Sequence, residues 1–565
     1  MRPRFSPLPT GWTRLFHWAL LSLAIFLPGW LTLPEYGVTY DEPIYIEDSF
    51  RVREWLHRPI AEIFSPEQVA RAWRAPSRNV HPAAIIWLDT LAQEWVFWED
   101  DPYLQSRTLG LVAYAAVLAL FGLWFCRWRF APACLFAVLS ALQPRLFAHS
   151  HFATPDLLLI TAFLACVVVL DATLATRFFW LGGVLAGIAC AVKFTALLLL
   201  VPLLLLLTWF WRESRRVRLA RIAVILAVAA ATFWVVNPGW WSGPVARAQE
   251  FVRISTTRAD WAPYSVYFWG KLYSFRGPFY SPAVILLITT PLLHLGLAAA
   301  GAASLWGRRK ESFGLRPAAA LCFTLWPVLL MMWPGSPTND MERYLLPALP
   351  FLTGLAVLGG LRILELRPVR FEDWSAAGKR FIGLALVLAL LAGEAAWGGL
   401  SCHPAGLSYF NGLIGGLPGA HRIGFEDTYW WEVFNDRVLA ELNRRCRGEA
   451  VYFPMAPTDL YFRHMIRQGK LEFHPVSDPG RAQFVLVYGR PSVRFWEERL
   501  DWLRESAELR WERTLQGIPL IRLYSIRPAS ALRPLRPGAA AAPPRPQQDH
   551  SRAGQAHARH DLQAQ

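Results

Sequence analysis

The chain has 565 residues, of which 54% are hydrophobic and 18% charged, which makes it too apolar and too long for one soluble domain. Its formal charge of +15 would suit a nucleic-acid partner, but the basic residues fall in short clusters between apolar runs, as topology signals do. Nucleic-acid binding is therefore discounted, and a membrane protein is expected.

The run 15–33 carries no formal charge, follows Arg2, Arg4 and Arg14, and is long enough to span about 30 Å of hydrocarbon. It ends in Pro34-Glu35-Tyr36 without a small-residue cleavage site, so it reads as an uncleaved first helix. Further spans are expected near 108–126, 131–147, 157–175, 178–192, 195–211, 220–236, 282–305, 317–333, 345–363 and 381–400, about eleven in all. Tryptophans at run ends, such as Trp209, Trp211, Trp240, Trp241, Trp306 and Trp333, suit interfacial belts, with core packing the alternative account of some. With a cytoplasmic N-terminus, the inside segments 212–221, 307–310 and 362–380 are rich in Arg and Lys, and the first outside loop, 34–104, is acidic. The outside loop 237–281 departs from the rule, being basic. Eleven crossings put everything after Ser401 outside.

From 401 the chain turns mixed: WEVFNDRVLAELNRR reads as an amphipathic helix, VYFP and FVLVYG as short strands, and FWEERLDWLRES as another helix. The expected organisation is a transmembrane domain over 1–400, an extracytoplasmic α/β domain over 401–527, and a disordered Pro/Ala/Arg-rich tail over 528–565. Five cysteines lie in or beside apolar runs and read as small hydrophobes, whereas Cys402 and Cys446 could form a disulfide in an exported region.

Candidate chemistry gathers on one predicted face. Asp41-Glu42 follow the first helix; the pair is either an acidic turn or a base with a neighbour that orients substrate or binds a metal. His81-Pro82 opens the amphipathic HPAAIIWLDTLAQEW, an interfacial helix in which His81 is a cap, a surface residue or a site residue. Asp156 ends the connection HSHFATPD, where it either caps the next helix or, as a carboxylate at membrane depth, serves function. Lys193 interrupts a long apolar stretch, as a snorkelling lysine or a phosphate contact. Arg343 lies beside Asp340 and Glu342 in PGSPTNDMERY, in a solvated ion pair or aimed at a phosphate.

The order of these motifs resembles the GT-C superfamily of integral-membrane glycosyltransferases, specifically the protein O-mannosyltransferase and aminoarabinose-lipid A transferase branch. The matching features are YDE at 40–42, HP at 81–82, Arg107, HFATPD, Lys193-Phe194-Thr195 and GSPTNDMERYLLPALPFL, covering most of 10–360, with HPAGLSYFNGLIGGLPGAHRIGFEDTYWW at 403–431 similar to a stretch of bacterial members. The resemblance implies an all-α polytopic membrane bundle with a small C-terminal extracytoplasmic α/β domain, in a bacterial inner membrane. It implies an inverting transfer of a sugar from a polyprenyl-phosphate donor to an extracytoplasmic glycan, lipid or protein. It also implies Asp41 as catalytic base with Glu42 beside it, Asp156 as the second-loop acid, and Arg107, Lys193 and Arg343 on the lipid phosphate. His81 stands where the lipid A branch has lysine, a departure that leaves the phosphate contact and acceptor class open. Some members are associated with a divalent metal and others need none, so no metal ligand is assigned.

Two other classes compete. A transporter or flippase of a lipid-linked sugar would need polar residues at mid-membrane, where Asp171 and Glu394 come nearest. A scaffold would make the exported domain the working part.

Overall fold

The computed structural model describes residues 11–73, 83–211, 213–257, 265–306, 314–336, 338, 340–365, 389–390, 393–454, 459–494 and 507–526. His81, the helix expected at 495–506, the tail and half of the run 381–400 lie outside them. After α1 (Gly11–Thr32), the first loop forms α2 (Glu42–Leu56), two short helical turns and α3 (Ala84–Trp95). The bundle continues with α4 (Pro102–Phe125), α5 (Phe130–Ala141), α6 (Pro155–Thr173), α7 (Trp180–Val192), α8 (Ala196–Phe210) and α9 (Arg215–Val236). It closes with α10 (Ser281–Thr289), α11 (Leu292–Leu305), α12 (Leu315–Met332) and α13 (Leu349–Glu365).

Among the described residues, six helical stretches are long and apolar enough to cross a membrane unaided: Gly11–Glu35, Pro102–Phe125, Pro155–Thr173, Arg215–Val236, Leu315–Met332 and Glu342–Ile363. The other expected spans, apart from 381–400, are helical but short or broken. Expected as one span, 131–147 breaks at Leu142-Gln143 before Pro144, because proline cannot donate into the helix ladder and pushes its predecessor out of helical geometry. The span expected at 282–305 breaks in the same way at Thr290-Pro291, and α10 and α11 meet at a bend of 112°. Asn411 meets the backbone groups freed there: its side-chain amide donates to the carbonyls of Leu287 and Thr290, both at 2.7 Å, and its N–H to that of Ile288 at 2.8 Å.

α11 and α13 cross with almost no side chain between them. A Cβ on Gly301 would lie 2.0 Å from the Leu355 carbonyl oxygen, and one on Gly359 would lie 1.9 Å from that of Leu297. Small residues let helix backbones approach this closely, which is how packing holds helices together when lipid offers no hydrophobic drive. Gly301→Ala is expected to cost about 1–3 kcal/mol and to lower the unfolding temperature in detergent, whereas Gly296→Ala on the same helix, with nothing within 4 Å of its Cβ, leaves it unchanged. Equal melting of the two variants would contradict this account of the crossing.

In the C-terminal part, β3 (Ala450–Tyr452) lies parallel to β4 (His474–Val476) on one side and to β5 (Phe484–Tyr488) on the other. A hairpin of β6 (Ala507–Leu515) and β7 (Ile518–Ile526) joins through β7, antiparallel to β5, giving the order β4-β3-β5-β7-β6. Earlier in the chain, β1 (Ser265–Phe268) and β2 (Lys271–Ser274) form a separate two-stranded antiparallel hairpin. The helix expected from Trp431 begins at Asp436, capped by the Asn435 side chain, because Trp430 and Trp431 take left-handed backbone at φ 55° and 67°. Cys402 and Cys446 are both buried free thiols.

An apolar cluster crosses the boundary expected at 400/401. It runs from Tyr36, Val38 and Ile46 of the first loop through Phe410, Trp430 and Phe434 to Leu486 and Leu523 of the sheet. Gly37 is a close point of this union: its N–H donates to the Glu432 carbonyl at 2.8 Å, and a Cβ there would lie 2.4 Å from the Phe434 carbonyl oxygen. Residues 403–435 thus form a layer between the bundle and the sheet.

Candidate active site

Four of the residues singled out in the sequence meet at one end of the bundle. Asp41 immediately precedes α2, and its side chain makes no cap to that helix; its Oδ2 instead accepts from Arg343 Nη1 at 2.9 Å. Asp156 sits in the first turn of α6 and likewise caps nothing, its Oδ1 accepting from Lys193 Nζ at 2.6 Å. Arg343, on the short helix Met341–Tyr344, completes the chain of charges: Nη1 is 3.9 Å from Asp156 and Nη2 is 3.5 Å from Asp340. Lys193 ends α7 in extended geometry and is buried, so it is not a snorkelling residue.

Lys193, Asp156 and Arg343 form the polar end of a cavity of about 400 Å³. The rest of its lining is mostly apolar and comes from α8, α12 and the start of the next span: Leu198, Leu199, Pro327, Leu330, Met331 and Pro347. Two lining residues, Leu198 and Trp333, are 48% and 71% exposed, so the groove opens on the outer, apolar surface of the bundle.

Glu42 and Arg107 are placed elsewhere. Arg107 donates through Nε and Nη2 to the two Glu42 oxygens at 2.7 and 2.8 Å, and through Nη1 and Nη2 to the carbonyls of Tyr36 and Gly37 at 3.0 and 2.7 Å. Glu42 also accepts from the N–H groups of Thr39 at 2.8 Å and Ala153 at 2.9 Å. Both side chains are buried, and neither lines the groove. Every donor nitrogen of Arg107 is engaged, so in this arrangement the pair ties the first loop to α4 and to the connection before α6. Glu42→Gln is expected to destabilise the fold by about 3–5 kcal/mol by leaving a buried guanidinium half-paired, read as a lowered detergent melting temperature. Unchanged melting combined with lost activity would return Glu42 to the chemistry.

The sequence reading did not single out Asp340, Arg490 or the Trp430-Trp431 pair as site residues. Arg490, from the turn after β5, ion-pairs with Asp340 and lies 4.9 Å from the Trp431 ring, while Arg343 lies 4.6 Å from the Trp430 ring. Tyr40 packs on Trp431 at 5.1 Å. The signal available for Arg490 is a charged residue in Gly-Arg-Pro at the end of a buried strand. Burial alone would raise Asp340, but the Arg490 and Arg343 guanidiniums hold it below the ordinary carboxylate range. Burial pushes Glu426 up to about 7, against Arg490 and the Ser492 N–H, and Glu432 up to about 8, against hydrogen bonds that include the Thr428 hydroxyl. Asp41, Asp156 and Asp340 are each engaged by a cation, and among the described residues no group of three or more His, Cys, Asp or Glu is arranged to hold a metal.

No family model matches the chain, and neither does any curated protein. Solved structures similar to it include ArnT from Cupriavidus metallidurans, in the apo state and bound to undecaprenyl phosphate, at 15% identity and TM-score 0.46 over 90% of this chain and 98% of that one. The archaeal oligosaccharyltransferase AglB from Archaeoglobus fulgidus, in complex with an inhibitory peptide and a dolichol-phosphate, is similar at 11% identity and TM-score 0.46, over 92% of this chain and 75% of that one.

Proposed function

We propose that the chain is a membrane glycosyltransferase that moves a sugar from a polyprenyl-phosphate carrier to a hydroxyl-bearing acceptor on the extracytoplasmic side, with Asp41 as general base. The observation that carries this reading is the placement of Lys193 and Arg343 at the polar end of an apolar groove open to the bundle surface, with Asp41 hydrogen-bonded to Arg343. Such a groove matches an isoprenoid tail joined to a phosphate, the tail against Leu198, Leu199 and Leu330 and the phosphate against the two cations. The order of the sequence motifs supports the same assignment.

In this mechanism the carrier phosphate competes with Asp41 for Arg343, so donor binding loosens the ion pair on the base. The acceptor oxygen attacks the anomeric carbon as the bond from that carbon to the phosphate oxygen breaks. Asp41 takes the acceptor proton, and Lys193 and Arg343 stabilise the departing polyprenyl phosphate. A single displacement inverts the anomeric centre. Glu42 and Arg107 act at a distance by fixing the backbone that presents Asp41. His81 belongs to the same proposed face but lies outside the described residues.

A transporter reading draws on the 112° break between α10 and α11 and on the buried His294–Glu394 pair at 3.2 Å, since broken helices and intramembrane charges mark transport paths. Purified protein incubated with a panel of polyprenyl-phosphate sugars and candidate acceptors decides between the two. Release of free polyprenyl phosphate, followed by mass spectrometry, is expected; movement of the donor across vesicles without release would favour transport.

A further inference from the structure

We propose that Arg490, carried by the C-terminal sheet domain, is a positioning residue for Arg343 and acts by neutralising Asp340; the inference rests on the glycosyltransferase reading of the Arg343 site. Three carboxylates surround the Arg343 guanidinium, with Asp41 at 2.9 Å, Asp340 at 3.5 Å and Asp156 at 3.9 Å. One cation cannot serve all three and also receive a phosphate. Lys193 takes up Asp156 at 2.6 Å, and Arg490 takes up Asp340. With each competitor given its own cation, Arg343 is left to Asp41 and to the groove.

The arrangement around Arg490 suits this task better than a simple docking contact. Its guanidinium is buried, and Nε and Nη1 have no acceptor, so the residue is held in the interior with only part of its hydrogen-bonding capacity used. The Ser492 N–H donates to Glu426 at 3.1 Å and pins the turn that carries Arg490. Trp430 and Trp431 wall Arg343 and Arg490 respectively, from adjacent positions in left-handed backbone, a conformation bulky residues adopt only where the surroundings impose it. Asp340 itself is left-handed at φ 47°, which turns its carboxylate between the two guanidiniums. The sheet domain therefore contributes a charge to the site while making no direct contribution to the groove lining.

Removing Arg490 leaves Asp340 with Arg343 alone and draws Arg343 away from Asp41. The site also becomes one unit more negative, which opposes an incoming phosphate. The test uses full-length protein in lipid nanodiscs, comparing wild type, Arg490→Gln, Asp340→Asn and the double variant. The readouts are binding of a polyprenyl phosphate, the kcat and KM of carrier release, and a cryo-EM structure of Arg490→Gln. Arg490→Gln is expected to weaken polyprenyl phosphate binding by about tenfold or more, to lower kcat, and to show Arg343 moved onto Asp340. Because Asp340→Asn removes the competing carboxylate, the double variant is expected to recover to within about threefold of wild type. A docking role predicts the opposite, since the double variant has lost the same contact and stays as impaired as Arg490→Gln. That result, or an Arg343–Asp41 contact unchanged in Arg490→Gln, overturns the inference. A wild-type protein that neither binds nor releases carrier defeats the proposed function instead, and the Arg490→Gln structure still decides whether Arg490 positions Arg343.

Discussion

Asp41→Asn protein is expected to fold, bind polyprenyl phosphate at least as tightly as wild type, since the carboxylate that competes for Arg343 is gone, and transfer sugar about 10²- to 10⁴-fold more slowly. The substitution keeps the side-chain shape and an oxygen that can accept from Arg343, so the 2.9 Å contact survives in a neutral form. It removes the group that takes the acceptor proton. Because Asp41 makes no cap to α2, no helix start depends on its charge, and the melting temperature should stay near wild type. The measurement is single-turnover release of polyprenyl phosphate at saturating donor, beside carrier binding and thermal unfolding of the same preparation. Near-normal transfer would falsify the assignment of Asp41 as base. A parallel loss of carrier binding would instead make it part of the phosphate site.

Arg343→Gln should produce the other large effect, and on both quantities at once. Arg343 is the shared partner of Asp41, Asp156 and Asp340 and also lines the groove, so its loss removes a phosphate donor and leaves Asp41 without its ion pair. Transfer is expected to fall about 10²- to 10³-fold, the usual cost of one preorganised charge-stabilising donor, and carrier binding to weaken with it. Arg343→Lys should recover only part of this, because an ammonium is a point charge and cannot hold a carboxylate and a phosphate along two edges of a fork. Full activity in the lysine variant would mean that the planar geometry is dispensable and that Arg343 acts through charge alone. If binding falls in Arg343→Gln and not in Asp41→Asn, the two residues occupy the separate roles assigned to them.

How much of this was legible in the sequence depends on what a residue contrasts with. Asp156 and Lys193 interrupt or border apolar runs, and Arg343 lies between two carboxylates, so their charges are conspicuous, and the structure brings all three together with Asp41. The different fates of Asp41 and Glu42 were not legible. Adjacent residues at a helix start point about 100° apart, which sends Glu42 inward to Arg107 and Asp41 to Arg343, and nothing in the letters DE says which goes where. The bend at Pro291 and the break at Pro144 carry a proline signal, but hydropathy alone joins the flanking runs into single spans. Arg490 carries only the weak signal of a charge at the end of a buried strand, because its partner Asp340 lies 150 residues away in the sequence and local patterning does not join the two. The sheet strands at 450–452 and 484–488 were legible as short apolar runs, but their fusion with the first loop through Gly37 depends on a long-range approach that local patterning does not encode.

The groove between α8 and α12 opens sideways, past Leu198 and Trp333, at the apolar face of the bundle. On the proposed reading, a carrier reaches Lys193 and Arg343 by diffusing in two dimensions within the leaflet and never passes through water. The quantity that governs turnover is then the mole fraction of carrier among the lipids, not its amount per volume. At fixed total donor, adding empty micelles or bilayer should slow the reaction by dilution within the surface, and concentrating the aqueous phase should not restore it.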